Sequence, residues 1–244
     1  MCPSAEDQRI QFHRLDRVIW MNITRLELLT KDLQAQKDFY SNVLGLPVTE
    51  PSIELKIQVG ETELVFTQSD AHFDGAYHFA FNIPENQFHD AKDWISRRVP
   101  LLKDLEGKDE FSSESWNSHS VYFKDVAGNV LEFIARHNLK NAVAEPFNSE
   151  HILNISEIGL PSENVISFAR GLCTQLGVSV FKQEPGETFT PIGDDNGLLI
   201  IPIKDRIWIP NSGVPAKLLP VKVRVNTDGN QWEVRGMPYE VMPL

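Results

Sequence analysis

The 244-residue chain contains only two cysteines, Cys2 and Cys173, too few for a disulfide framework or a thiolate zinc site. No apolar run approaches the roughly 18 residues that a membrane-spanning helix needs, and the opening residues carry no apolar signal-peptide stretch. Basic residues are in deficit: 23 Lys+Arg face 34 Asp+Glu, a net charge of −11. That balance argues against nucleic acid or an anionic membrane as partner, since both are held by clustered Lys and Arg. Walker A loops, Rossmann glycine fingerprints, HExxH and GxSxG are also missing, which removes the commonest nucleotide, zinc-protease and serine-hydrolase readings. What remains, with 41% hydrophobic residues, is a globular chain long enough for one large domain or two small ones. We expect it to be cytoplasmic.

What the sequence does contain is a self-match. Residues 23–48 align without a gap to residues 155–180, an offset of 132 positions. Ile23 meets Ile155, Leu26 meets Ile158, Leu28 meets Leu160, and Leu44-Gly45 meets Leu176-Gly177. Each copy begins with the two-residue alternation of a half-buried strand. In the first copy Asp32 then offers a helix N-cap, Leu33, Phe39, Tyr40, Val43 and Leu44 an apolar face, and Gly45 a stop. Strands are predicted over 53–58 and 63–67, joined through Gly60. Between the copies, residues 77–136 read as another βαβββ unit: a strand at 77–83, a helix at 86–98, and a hairpin around Asp125-Val-Ala-Gly-Asn129. Near the end, Val221, Val223 and Val225 alternate as one more strand. The turn Gly193-Asp-Asp-Asn-Gly197 lacks the spaced carboxylates of an EF-hand loop and reads as a hairpin connection.

The runs Phe39-Tyr40-Ser-Asn-Val-Leu-Gly-Leu46 and Val121-Tyr-Phe-Lys-Asp-Val-Ala-Gly-Asn-Val-Leu-Glu-Phe133, with Tyr77-His-Phe-Ala-Phe81 between them, resemble the vicinal oxygen chelate superfamily. That group includes glyoxalase I, bleomycin- and fosfomycin-resistance proteins and extradiol dioxygenases. The resemblance implies paired βαβββ units forming a cup around a divalent metal, which acts as a Lewis acid on vicinal substrate oxygens. It places a metal-binding histidine at His78 and a metal-binding glutamate at Glu132. The first-strand histidine of the family is replaced by Arg25, and its last-strand position in the first unit by Val65, with Glu63 one pleat away.

With the inner face taken from that resemblance, strand parity directs Arg25, Glu27, Glu63, His78, Asn82 and Glu132 into one cup. Burying so many unpaired ions would cost several kcal/mol each, and three arrangements relieve it. A divalent ion (Fe, Mn, Ni or Zn) sits on His78, Glu132 and one of Glu27 or Glu63. Alternatively Arg25 replaces the metal and forks onto Glu132, or the cup is wet. A guanidinium about 5 Å from a dication is repelled by roughly 6 kcal/mol at an effective dielectric of ~20, which weighs against metal beside Arg25. Two residues are catalytic candidates: Arg25, orienting an anionic or oxygen-rich substrate beside the metal, and Tyr122, as donor of a hydrogen bond to a substrate oxygen. Cys173 reads as a small core residue.

The expectation is thus an α+β fold of repeated βαβββ modules: an extension over 1–20, a complete cup from paired modules at 21–138, a linker at 139–150, and a third module plus partial fourth at 151–244. The expected function is that of a small-molecule-acting glyoxalase- or dioxygenase-like protein, a metal-dependent lyase or ring-cleaving dioxygenase with a degenerate metal site. The alternative is a metal-free sequestering protein of the bleomycin-resistance type. A homodimer is a further alternative, suggested by an edge strand around 219–226.

Overall fold

The computed structural model describes residues 20–50 and 52–244; the extension expected before Trp20 lies outside the described residues. The first unit runs β1 (Met21–Thr30), α1 (Leu33–Asp38), β2 (Glu54–Val59) and β3 (Thr62–Gln68). Asp32 caps α1, its side chain accepting from the Ala35 amide. The helix then widens into a π-helical turn over Phe39–Val43, and the adjacent Phe39 and Tyr40 are both buried there. Residues 77–136 supply β4 (His78–Ile83), α2 (Phe88–Ser96), β5 (Phe111–Ser113), β6 (Ser118–Lys124) and β7 (Val130–Arg136). The third unit contains β8 (Asn154–Gly159), α3 (Val165–Leu176), β9 (Phe189–Gly193) and β10 (Leu198–Pro202). Three strands close the chain: β11 (Val221–Thr227), β12 (Asn230–Gly236) and β13 (Tyr239–Pro243). Among the described residues no helix is long and apolar enough to cross a membrane.

The fold is α+β, but the first unit does not pair with the second: it shares a sheet with the C-terminal strands, and the second unit shares one with the third. One six-stranded sheet has the order β13-β12-β11-β1-β3-β2, and a seven-stranded sheet has the order β5-β6-β7-β4-β8-β10-β9. The complete cup expected within residues 21–138 is therefore corrected. Strand β4 pairs antiparallel with β8 of the third unit, while β1 pairs antiparallel with β11 at the far end of the chain. Nor is the 219–226 segment an edge: β11 lies between β1 and β12, which removes the ground for expecting a dimer there.

The burial patterns follow from this arrangement. In the six-stranded sheet β1 and β11 alternate buried and accessible residues, as strands do when one face meets water. In the seven-stranded sheet β4, β7 and β10 are buried at every position, so both faces are covered. One face joins the main core, in which Phe79, Phe81, Leu131 and Phe133 pack with Leu26, Leu28, Leu64 and Val223 of the other sheet. The opposite face carries a second, smaller apolar cluster of Tyr122, Val130, Phe181, Leu198, Ile200, Trp208 and Ala216. Buried Thr62 fastens the sheets together: its hydroxyl donates to the Ile23 carbonyl (2.7 Å) and accepts from the Ile155 amide (3.1 Å).

Candidate metal centre

The site lies on that second face, where three strands meet. Strand β4 presents His78, β7 presents Glu132, and β8 presents Glu157. All three are buried, and one donor atom from each lies within 4.8 Å of the others. Ala80 of β4 is aligned with Glu132 on one side and with Glu157 on the other, so both carboxylates arrive at the same height. In the third unit Gly159 is aligned with Ile200 of β10, just as Ala80 is with Glu132. Ile200 therefore occupies the place where a fourth donor would stand.

Each donor has a partner that orients it. His78 Nδ1 donates to the Val130 carbonyl at 3.0 Å, which leaves the Nε2 lone pair facing the acids, 3.7 Å from Glu132 Oε2. Burial lowers the His78 pKa from 6.5 to about 4, so the ring is neutral near pH 7. Burial and the charge of Glu157 raise the Glu132 carboxyl, while Ser120, Arg136 and Tyr122 act in the opposite direction. Burial also raises Glu157, against the pull of Arg136. Arg136 has no exposed surface; its Nη2 pairs with Glu157 and its Nε donates to Asn82 Oδ1 at 3.1 Å. Tyr122 is aligned with Glu132 on β6, and burial holds its phenol protonated. Trp208 roofs the group, its ring centroid 4.7 Å from that of His78.

These placements redraw the ligand set read from the sequence. His78, Glu132 and Tyr122 come together, and Asn82 is linked to them through Arg136 and Glu157. Arg25, Glu27 and Glu63 do not join them, because β1 and β3 belong to the other sheet. There they form an ion ladder: Arg25 Nε donates to Glu27 Oε1 (2.7 Å), Arg25 also pairs with Glu63, and Lys222 reaches Glu27 Oε2 (3.0 Å). Burial works to raise the Glu27 pKa, but hydrogen bonds from Arg25 and Lys222 leave it lowered overall. The third donor of the candidate centre, and its second acid, is Glu157. The 132-residue offset marks it, since it stands in the second copy where Arg25 stands in the first. Arg136 is marked in the sequence only by the parity it shares with Glu132 and Ile134. Cys173 is half-buried in α3, packed against the core, with its thiol pushed up to about 11 by burial.

No protein-family model matches the sequence, and no curated protein matches it. Among solved structures the chain is similar to a protein of Bacillus subtilis subsp. subtilis str. 168, provisionally named a dioxygenase. That likeness covers 75% of this chain and 63% of the other, at 18% identity and a TM-score of 0.56. The chain thus spans less than two thirds of that protein's length. It is also similar to glyoxalase I of Zea mays in its V278E form, over 90% of each chain, at 12% identity and a TM-score of 0.53. At such identities the likeness is one of architecture, and it agrees with the strand order and the sequence signatures: the chain has the fold of the vicinal oxygen chelate superfamily.

Proposed function

We propose that the chain acts on a small oxygen-bearing molecule at a divalent metal held by His78, Glu132 and Glu157. The convergence of their three donor atoms within 4.8 Å carries this reading. The donors suit such an ion. His78 is neutral with Nε2 unprotonated, because Nδ1 is engaged by Val130, the arrangement that metal-binding histidines use. Two carboxyls forced together in a buried setting gain most from a cation between them. Arg136 is not prohibitive. At about 5 Å it would repel a dication by roughly 6 kcal/mol, whereas each carboxylate in contact returns more than twice that at the same effective dielectric. A mixed nitrogen and oxygen set suits Fe, Mn, Ni or Zn.

When bound, the ion would supply Lewis-acid polarisation of paired oxygens, the chemistry shared by lyases and ring-cleaving dioxygenases of this fold. The chain's own groups do the rest. Val130 fixes the His78 ring, Arg136 fixes Glu157, Tyr122 holds a phenolic proton beside Glu132, and Trp208 keeps water from the group. The site residues rest on geometry; fold alone does not choose among reactions. Metal analysis of protein purified without chelator tests the reading: near-stoichiometric metal supports it. If no metal is retained and none of Fe, Mn, Ni or Zn is taken up, it fails. The metal-free sequestering reading, favoured by the Arg136–Glu157 pair and by Ile200 in a donor's place, would then replace it.

A further inference from the structure

Arg136 is completely buried, yet it is incompletely paired. Nε and Nη2 have acceptors, but among the described residues none lies within hydrogen-bonding range of Nη1. Nη1 faces Asp195 Oδ1 at 3.9 Å. Leaving a buried guanidinium N–H without an acceptor is costly, because charged donors lose the most on desolvation. The group it faces is itself crowded with donors. Asp195 accepts from Lys182 Nζ at 3.0 Å and from Asn138 Nδ2 at 3.3 and 3.5 Å. Two donors, with the Arg136 guanidinium 3.9 Å away, thus surround one carboxylate, supplied by a surface turn.

That turn is anchored independently of Asp195. The neighbouring Asp194 accepts from the Met21 amide (2.7 Å) and the Asn196 amide (2.7 Å), and Asn82 Nδ2 donates to the Asp195 backbone carbonyl (3.1 Å). The Asp195 side chain is 18% exposed, so it can rotate to water while the backbone stays fixed. Aromatic faces border the position: the Arg136 guanidinium lies 5.5 Å from the Trp116 ring and 5.8 Å from that of Phe181, and Lys182 Nζ lies 4.5 Å from Phe181.

We propose that Arg136, Lys182 and Asn138 form a carboxylate-binding subsite beside Glu157, that Asp195 occupies it in the absence of ligand, and that the substrate is an organic carboxylate which displaces Asp195. The incoming group exchanges one carboxylate for another at Lys182 and Asn138 and adds a hydrogen bond to Nη1, which Asp195 does not make. Because Arg136 grips Glu157 with its other arm, a ligand held there extends toward the metal donors. This deepens the proposed function and rests on it for the orientation of the substrate, but not for the binding of the anion.

Chelator-treated protein separates the two. Benzoate, a flat carboxylate matched to the aromatic border, is titrated against wild type and Asp195→Ala by calorimetry, with benzamide as the neutral control. Asp195→Ala should bind benzoate roughly tenfold more tightly than wild type, the equivalent of one charge-assisted hydrogen bond freed from competition. Benzamide should bind neither. Adding Lys182→Met to Asp195→Ala should reverse the gain; Lys182 is partly exposed, so this variant avoids the folding risk of removing Arg136. Equal affinity of wild type and Asp195→Ala for benzoate, or equal affinity for benzoate and benzamide, overturns the subsite. Metal uptake by the same preparations reports on the proposed function separately.

Discussion

Glu132 and Glu157 bring carboxylate oxygens within 4.8 Å of one another from strands β7 and β8, which are held apart by β4. Two acids in so dry a place oppose one another's ionisation, and this gives the metal-free protein a characteristic pH response. Burial and the charge of Glu157 push Glu132 up from its ordinary 4.5 to about 8. The folded chain then holds that proton more tightly than the unfolded chain. The resulting stabilisation is complete below pH 4.5 and is lost as pH rises through about 8. His78 works in the other direction: with its pKa lowered from 6.5 to about 4 by burial, its contribution is present above pH 6.5 and lost as pH falls through about 4. Urea midpoints of chelator-treated protein should therefore decline from pH 6.5 to 9, and Glu132→Gln should flatten that decline. An alkaline decline equally steep in the variant would show that its source lies elsewhere.

A bound dication should reverse the alkaline loss by stabilising both carboxylates. At 100 times its dissociation constant a ligand adds about 2.7 kcal/mol, which for a domain of this size raises Tm by about 5–10 °C. Calorimetry with Mn, Zn or Ni should give that rise in wild type. His78→Ala should abolish the rise while lowering the starting Tm. A shift of the same size in His78→Ala would place the ion elsewhere.

Trp208 packs over His78, and on the proposed reading it governs access to the metal. Its ring leans on Gly159 so closely that a methyl group there would lie 2.5 Å from Cη2, and Gly159→Ala should push the ring off the site. Trp208→Ala should cost about 3–5 kcal/mol of stability, as expected for a buried aromatic, yet speed metal association measured by stopped flow. Unchanged association in both variants would argue against the roof as the route of entry.

Asp125 joins the β6–β7 turn to the first helix. Its carboxylate accepts from Gln36 Nε2 (3.0 Å), Asn129 Nδ2 (2.7 Å) and Tyr40 (3.3 Å), and from the amides of Ala127 and Asn129 at 2.9 Å. Asp125→Ala strands several buried donors and should cost about 3 kcal/mol, read as a lower denaturant midpoint. A loss confined to a few tenths of a kcal/mol would mean that water replaces the carboxylate with little strain.

Local patterns made the elements legible. Asp32 as a cap, the alternation of Leu26 and Leu28, and the hairpin at Asp125–Asn129 depend on residues a few positions apart. The pairing of units was not legible, because a first strand with one buried face is equally compatible with several partners, and sequence proximity favoured the wrong one. That single non-local choice separated Arg25, Glu27 and Glu63 from His78 and Glu132 and brought in Glu157. Strands β12 and β13 are not legible in the sequence, because Gln231, Glu233 and Arg235 dilute the apolar alternation around Trp232 and Val234, and Gly236-Met-Pro238 interrupts it. Arg136 looked like a strand terminus, and only the neighbouring strand explains its burial.

The strand pairings are nested like parentheses. The inner pair, β4 with β8, closes around the chemistry, and the outer pair, β1 with β11, closes around the inner one. Every donor of the candidate centre thus lies between Tyr77 and Trp208, while β1 and the C-terminal strands share the other sheet, whose accessible side chains include the Arg25–Glu27–Glu63–Lys222 ladder. The two sheets can therefore be altered separately: changes confined to the β11–β1 seam leave all three donors of the candidate centre on their own strands.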